Sequence, residues 1–261
     1  MRKILRYAAI IIACLAALTV VAVTVGLRAQ RAGSSAVEEV VPGIHHVRNF
    51  FADVYAARAG DGVLLFDAGM DPAGHAIDDL LHALGATREQ VSHVFLSHGH
   101  FDHVAAAGLF PNSRIYLGAA DVAMAAQDEP ARPLTPRLFG ALAGSTVIHV
   151  NSPLEGRKRI DVGGNAPVMA LPFPGHTPGS YLYLFRGVLF SGDSINLDHG
   201  QLTPAVPDHS IDPIANRTSI SRLPFLLGYE RVDYVCTGHM LCTSPGSARA
   251  LLLQLLSSLP Q

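Results

Sequence analysis

The chain has 261 residues, a length that suits one domain of ordinary size with appendages. Its net charge is −2 and only 15% of its residues are charged, so there is no electrostatic case for a nucleic-acid partner. Apolar residues make up 49%, and part of that excess is local.

Ala8 to Leu27 is twenty residues without a charge. At ~1.5 Å per helical residue this run spans a ~30 Å hydrocarbon core. Residues 1–7 form a basic flank with Arg2, Lys3 and Arg6, and Arg28 and Arg31 follow the run. The apolar core of a cleaved signal peptide is shorter, about 7–15 residues. The run therefore reads as a transmembrane anchor, although Ala29 and the small residues from Ala32 to Ala36 leave cleavage open. Ile-Ile-Ala-Cys ending at Cys14 resembles a lipobox, but the long apolar run after it argues against lipid attachment. Three positive residues before the run against two after it bias the N-terminus to the cytoplasm. The main domain is then expected on the periplasmic side of the inner membrane.

Residues 28–42 read as a linker, and 43–261 as the main domain. Gly43 to Val47 is the first candidate strand. Asn49-Phe50-Phe51 is a loop tip whose phenylalanines belong either to the core or to a flap over a pocket. Asp53 to Ala57 and Val63 to Asp67 read as paired strands around Gly60-Asp61-Gly62, because Asp-Gly is a strong hairpin signal. Val63-Leu64-Leu65-Phe66 is apolar without alternation, so both its faces are expected to be covered. Asp67 closes it, and a carboxylate at the end of a buried strand needs a purpose. It either hydrogen-bonds to the ligand-rich loop described next or caps the following helix. That helix is Ala73 to Leu84, with Ile77, Leu80, Leu81 and Leu84 at helical spacing and Gly85 as its stop. His75 and His82 read as surface or packing residues.

Val91 to Leu96 is a strand that delivers Ser97-His98-Gly99-His100-Phe101-Asp102-His103, and a small-residue helix, Val104 to Leu109, follows. Three imidazoles and one carboxylate within six residues are the donors that zinc and similar divalent ions prefer. Extended residues two apart share a face, so His98 and His100 can point one way. Asp102 and His103 come after the turn and can point to a neighbouring position, which suggests two adjacent metal sites. Arg114 to Leu117 reads as a strand, Ala119 to Gln127 as a helix, and Asp128 to Pro136 as irregular. Val147 to Val150, Arg157 to Ile160 and Val168 to Leu171 read as short strands. Phe173-Pro174-Gly175-His176-Thr177-Pro178-Gly179-Ser180 is a constrained loop that suits a ligand aimed by the backbone. Tyr181 to Phe185 and Gly187 to Ser191 form a hairpin leading to Asp193.

Residues 196–214 show no clear element, and a stretch that long is often a functional loop. Arg217 to Leu227 reads as helical, Tyr234 to Cys236 as a strand running into Gly238-His239, and Ala248 to Leu256 as the last helix. Cys236 and Cys242 flank His239; they pair in an oxidising compartment, or Cys236 is simply a buried strand residue. Strands with helices, followed by strands with helices again, suggest two layered halves and not a doubly wound parallel sheet.

His-x-His-x-Asp-His, then Gly-His-Thr-Pro-Gly-Ser, then Ser-Gly-Asp and a late Gly-His together resemble the metallo-β-lactamase fold superfamily over residues 43–256. The resemblance implies an α+β fold, a four-layer αββα sandwich with metals at one edge, here preceded by the transmembrane helix. Carried over, it implies that His98, His100 and His176 hold a first metal and that Asp102, His103 and His239 hold a second. Asp193 would bridge the two, and Asp67 would support the metal loop. Two Zn²⁺ ions are the expected cofactors, with Fe or Mn as alternatives. Two such ions lower the pKa of a shared water, so that a bridging hydroxide attacks a carbonyl carbon. Asp102, besides ligating, is the candidate catalytic residue that orients the nucleophile or relays a proton. His45, His46, His93 and His149 read as structural, and His199 and His209 as candidates for lining the pocket.

Only 22 residues follow His239, which leaves no room for the C-terminal domains of glyoxalase II or of alkylsulfatases, and no basic arm of a tRNA-processing nuclease is visible. The expected substrate is a small lactone, ester or thioester. The alternative is a periplasmic β-lactamase, favoured by the Asp-His pair and the placement but opposed by Asp193, which resembles the bridging carboxylate of glyoxalases and lactonases. The tyrosine that some lactonases place after it is replaced by Asn196. A mononuclear iron dioxygenase is the lesser alternative, opposed by the complete second site, and a silent membrane-tethered binding module would need a lost ligand. Phe50-Phe51 and the loop from Asn196 to Ile214, including Leu202, are expected to set substrate size.

Overall fold

The computed structural model describes residues 2–30, 34–144 and 146–259. Helix α1, Arg2–Gln30, covers the apolar run 8–27. Among the described residues no helix is long and apolar enough to cross a membrane. The side chains of residues 8, 9, 11 and 27, within the run expected to span one, lie outside the described set.

Seven strands then form one sheet in chain order: β1 Glu38–Val41, β2 Ile44–Asn49, β3 Ala52–Ala59, β4 Gly62–Phe66, β5 Val91–Phe95, β6 Arg114–Gly118 and β7 Ser152–Leu154. Pairing is antiparallel from β1 to β4 and parallel from β4 to β7. The second sheet contains β8 Lys158–Ile160, β9 Val168–Pro172, β10 Tyr181–Phe185, β11 Val188–Gly192 and β14 Tyr234–Thr237, in the order β14-β11-β10-β9-β8. A separate hairpin joins β12 Ile195–Asp198 to β13 Gln201–Pro204. The helices of the domain are α2 His75–Ala83, α3 Phe101–Val104, α4 Val122–Ala125, α5 Leu134–Ala143, α6 Pro213–Ser221, α7 Leu223–Leu227 and α8 Ala248–Ser257.

Alternation along the strands sorts the apolar residues into layers. On β4, Val63 and Leu65 face outward with Ile77, Leu80 and Leu81 of α2. Leu64 and Phe66 face inward, against Tyr183, Phe185 and Phe190 of the second sheet. The far face of that sheet packs Leu182, Leu184, Leu189 and Val235 under Ile220, Leu223, Leu252 and Leu255 of α6, α7 and α8. The result is the αββα sandwich that the resemblance implies. β4 is buried on both faces, as its unalternating run requires.

The differences from expectation have local causes. The end of the linker, Glu38–Val41, is the edge strand β1 paired with β2. The helix expected over Val104 to Leu109 is a single turn, α3, and a 3₁₀ turn at Ala107–Leu109. The amides of Ala105 and Ala106 bond to the carbonyls of Gly69 and Ala68, which pulls them out of a helical ladder. The helix expected over Ala119 to Gln127 is a 3₁₀ turn, Ala119–Asp121, followed by the short α4. α5 lies partly in the stretch read as irregular. Pro136 sits in its first turn, where no intrahelical donor is needed. Val147 to Val150 forms no strand; the Ile148 amide bonds to Ala125 instead, and the edge strand is β7.

Residues 196–214 hold the β12–β13 hairpin, turned through His199 and Gly200, both with positive φ as a tight two-residue turn needs. Asp212 starts α6 by accepting from the amides of Ile214 and Ala215, with Pro213 in the first turn. Leu202 is buried beneath α8 and does not line the site pocket described below.

Phe66 stacks on Phe190 at 3.8 Å and on Phe95 at 5.4 Å between the sheets. Phe66→Ala is expected to destabilise the domain by about 3–5 kcal/mol, measured by denaturant unfolding.

Candidate metal centre

The five groups singled out in the sequence meet at one end of the sandwich because each leaves the C-terminal end of a strand. Asp67 follows β4, the His98–His103 loop follows β5, His176 follows β9, Asp193 follows β11 and His239 follows β14. His98, His100 and His176 form one group of donor atoms within 4.8 Å of one another; Asp102, His103 and His239 form a second; His98, His103 and Asp193 form a third between them. His98 Nε2 lies 2.9 Å from His100 Nδ1, and His176 Nε2 lies 3.2 and 3.1 Å from these two atoms. Asp193 reaches both groups: Oδ1 is 3.3 Å from His103 Nε2, and Oδ2 is 3.1 Å from His239 Nε2 and 3.6 Å from His176 Nε2. Asp102 Oδ2 is 3.7 Å from both His103 Nε2 and His239 Nε2.

Each ring is aimed by its outer nitrogen. His98 Nδ1 is tied to Ser97 Oγ at 3.0 Å and His103 Nδ1 to Asp67 Oδ2 at 2.8 Å. His239 Nδ1 donates to the carbonyl of Phe51 at 2.9 Å, and His100 Nε2 to that of Arg132 at 3.0 Å. His176 Nδ1 faces Ser210 Oγ at 3.3 Å. Five imidazoles thus have one nitrogen fixed outside and the other turned toward a common centre. Two atoms at that centre, His103 Nε2 and Asp193 Oδ1, are buried without a hydrogen-bond partner. Buried polar atoms are normally satisfied, and a divalent cation is the group that converging imidazole nitrogens and carboxylates fit.

The electrostatics divide the cluster. Burial holds His98, His100 and His176 below the ordinary imidazole range; His176 falls to about 3 although Asp193 opposes the shift. These rings are neutral and ready to donate. At His103 and His239 burial acts in the same direction but the carboxylates outweigh it. Asp193, Asp67 and Asp102 hold His103 well above its usual value, and Asp193 lifts His239 to about 9. Burial would raise Asp193, but His239 and His103 hold it well below the carboxylate range. A cation bound there would compete with the protons that these carboxylates favour on His103 and His239.

A second layer fixes the loops. Asp67 accepts from the Ser97 amide at 2.7 Å and the Ser97 hydroxyl at 2.9 Å as well as from His103, so it supports the metal loop and does not cap a helix. Its φ of 60° is a conformation that Asp tolerates better than most residues. Asp121, fully buried, was not apparent from the sequence. It accepts from Gly99 N at 2.9 Å, Gly179 N at 2.7 Å and Thr177 Oγ1 at 2.5 Å, joining the two loops that carry His98, His100 and His176. A Cβ on Gly179 would strike Asp121, which is why that position is glycine. Asp53 and Arg48, also unremarked in the sequence, hold the His239 loop. Polar residues on the strand faces turned to the second sheet, His46-x-Arg48 on β2 and Asp53 on β3, were the available signal.

A cavity of about 530 Å³ opens over the centre, lined by Phe50, Phe51, Phe101, Pro136, Phe139 and Met240, with Arg48, Thr135 and His209 among the polar groups. Phe50 and Phe51 therefore flank the pocket. His209 lines it, whereas His199 is an exposed turn residue beside Asp198. α5, not the 196–214 stretch, contributes most of the facing wall. Cys236 is both a buried strand residue and disulfide-bonded to Cys242.

The sequence profile of the metallo-beta-lactamase superfamily matches residues 47–239, more than half of the chain, and the chain belongs to that superfamily. The uncharacterised protein YobT of Bacillus subtilis strain 168 is 28% identical over 163 residues, 58% of this chain and 65% of that one. The probable metallo-hydrolase YflN of the same organism is 28% identical over 180 residues, 60% and 66%. The chain thus spans just under two thirds of the length of these curated relatives. Among solved structures, the subclass B3 metallo-beta-lactamase BJP-1 of Bradyrhizobium japonicum superposes with a TM-score of 0.63 at 17% identity, over 87% of this chain and 93% of that one. The Rm3 metallo-beta-lactamase gives 0.65 at 17%, over 88% and 94%. A metallo-beta-lactamase family protein of Thermus thermophilus gives 0.62 at 21%, over 84% and 80%. These likenesses establish the fold.

Asp67→Asn keeps the size of the side chain but removes the charge that orients His103. It is expected to weaken zinc binding about 10–100-fold, read by competition with a chromogenic chelator.

Proposed function

We propose that the chain is a binuclear zinc hydrolase acting on a small, neutral lactone, ester or thioester with an apolar portion. The observation that carries this reading is the convergence of five pre-aimed imidazoles with Asp102 and Asp193 beneath an apolar pocket. His98, His100 and His176 would hold one cation, Asp102, His103 and His239 the other, with Asp193 shared. Bound there, two such cations make hydroxide available at neutral pH and polarise a carbonyl oxygen. Asp102, on the pocket floor, orients the attacking group and takes up its proton. Phe50, Phe51, Phe139 and Met240 receive the apolar part of the substrate and exclude water. The nitrogen-rich donor set suits zinc; iron or manganese are the other candidates.

The pocket's charge supports a neutral substrate over a β-lactam, the second reading. A β-lactam antibiotic carries a carboxylate that needs a cation. Besides the proposed metal ions and the histidines, the described residues of the lining offer only Arg48 as a side-chain cation, and its guanidinium is already paired with Asp53 at 2.8 and 2.9 Å. We place the domain in the periplasm, held by α1 as a single-pass inner-membrane anchor. The length of the uncharged run and the basic residues before it support that placement, and the disulfide is consistent with an oxidising compartment.

Zinc-loaded protein is expected to hydrolyse aryl esters, lactones or thioesters in a chelator-sensitive manner, with kcat/KM rising with acyl length, and to turn over a chromogenic cephalosporin poorly. Faster cephalosporin than ester turnover would overturn the substrate assignment.

A further inference from the structure

One ligand of the second cation group, His239, stands on the five-residue excursion between Cys236 and Cys242 at the end of β14, and that excursion is tied down at almost every backbone atom able to bond. The Cys236–Cys242 disulfide closes its base, reinforced by a bond from Thr237 N to the Leu241 carbonyl at 2.8 Å. The Thr237 carbonyl accepts from Tyr55 Oη at 2.8 Å, and the Gly238 carbonyl from Asp53 N at 2.7 Å. The His239 carbonyl accepts from Arg48 Nη2 at 2.6 Å. Leu241 N donates to Asp53 Oδ2 at 2.8 Å. All three anchoring residues come from β2 and β3, on the face turned to the second sheet, where Arg48 is paired in register with Asp53. A Cβ on Gly238 would collide with Asp193 and His103, so the excursion also runs as close to the centre as backbone can.

The anchor itself is costly to build. Asp53 is 1% exposed, and its carboxylate is balanced by Arg48 and by His46 Nε2 at 2.9 Å. Asp53 is fully buried while Arg48 stays about a third exposed, and a buried carboxylate costs desolvation that its pairing only offsets. Its retention fits a positioning task. The donors of the first group, by contrast, are held by Asp121, Ser97 and Arg132 and share no atom with this network.

We infer that Arg48, Asp53 and the Cys236–Cys242 disulfide form one clamp that holds His239 in register with Asp102 and His103 and so sets the occupancy of the second cation site independently of the first. The inference rests on the two-site reading of the centre. None of the three belongs to the donor groups at the centre; they are positioning groups acting through His239.

The test is a titration of the metal-free full chain with Co²⁺, following visible absorption and calorimetry, for the wild type, Arg48→Ala, Asp53→Asn and the double variant Cys236→Ser/Cys242→Ser. Thermal unfolding of each variant checks folding. The wild type should bind two equivalents. In each variant the second equivalent should weaken about 10–100-fold while the first keeps its affinity and its spectrum, with Arg48→Lys recovering part of the loss. A merely structural role would weaken both equivalents together, in step with unfolding temperature, and that result, or unchanged binding of both, overturns the clamp alone. A wild type that binds a single equivalent overturns the two-site reading and the clamp with it.

Discussion

Buried imidazole nitrogens turned toward one another are an unfavourable arrangement by themselves. Three of them lie 2.9 to 3.2 Å apart around His98, His100 and His176, and burial keeps these rings neutral. Two more, His103 and His239, face the carboxylates of Asp193 and Asp102, which raise their affinity for positive charge. Such a cluster persists only if the surrounding structure holds it and a cation rewards it on binding. Both sheets contribute: β4 and β5 of the first, and β9, β11 and β14 of the second, end at the same edge, and the donors follow.

The fold therefore works as a rigid frame for loops. The stacked aromatics between the sheets, Phe66 with Phe190 and Phe95, fix the distance between the two sets of strand ends. Three buried aspartates then tie loop to strand and loop to loop. Asp67 binds the His98–His103 loop, Asp121 joins that loop to the one carrying His176, and Asp53 secures the His239 excursion. At each loop, ligand, supporting carboxylate and strand are linked by hydrogen bonds, which is how side chains come to be aimed before any ion arrives.

The donors were legible in the sequence because dense histidine and aspartate at strand ends have few other uses, and the double-sided burial of β4 could be read from four apolar residues in a row. What escaped notice depends on contacts remote in sequence. Asp121 looks like any surface aspartate in a short turn until Gly99 and Gly179 are seen to meet it. Asp53 and Arg48 pair across a hairpin, and their shared target lies 188 to 191 residues away. α5 was hidden by its prolines, harmless in a first turn, and the β12–β13 hairpin by a His-Gly turn that only its positive φ values reveal. Leu202 was apolar for the sake of the core beneath α8 and not for a substrate.

The central claim is that this edge of the sandwich holds two adjacent cations. It is tested most directly by anomalous diffraction from crystals of the zinc-loaded protein. Two peaks ~3.5–4 Å apart are predicted, one within ~2.0–2.2 Å of donors from His98, His100 and His176 and the other at like distances from Asp102, His103 and His239, with Asp193 between. A single fully occupied peak held by His98, His100 and His176, with His239 still bonded to Asp193 and no density at the second site, would contradict it.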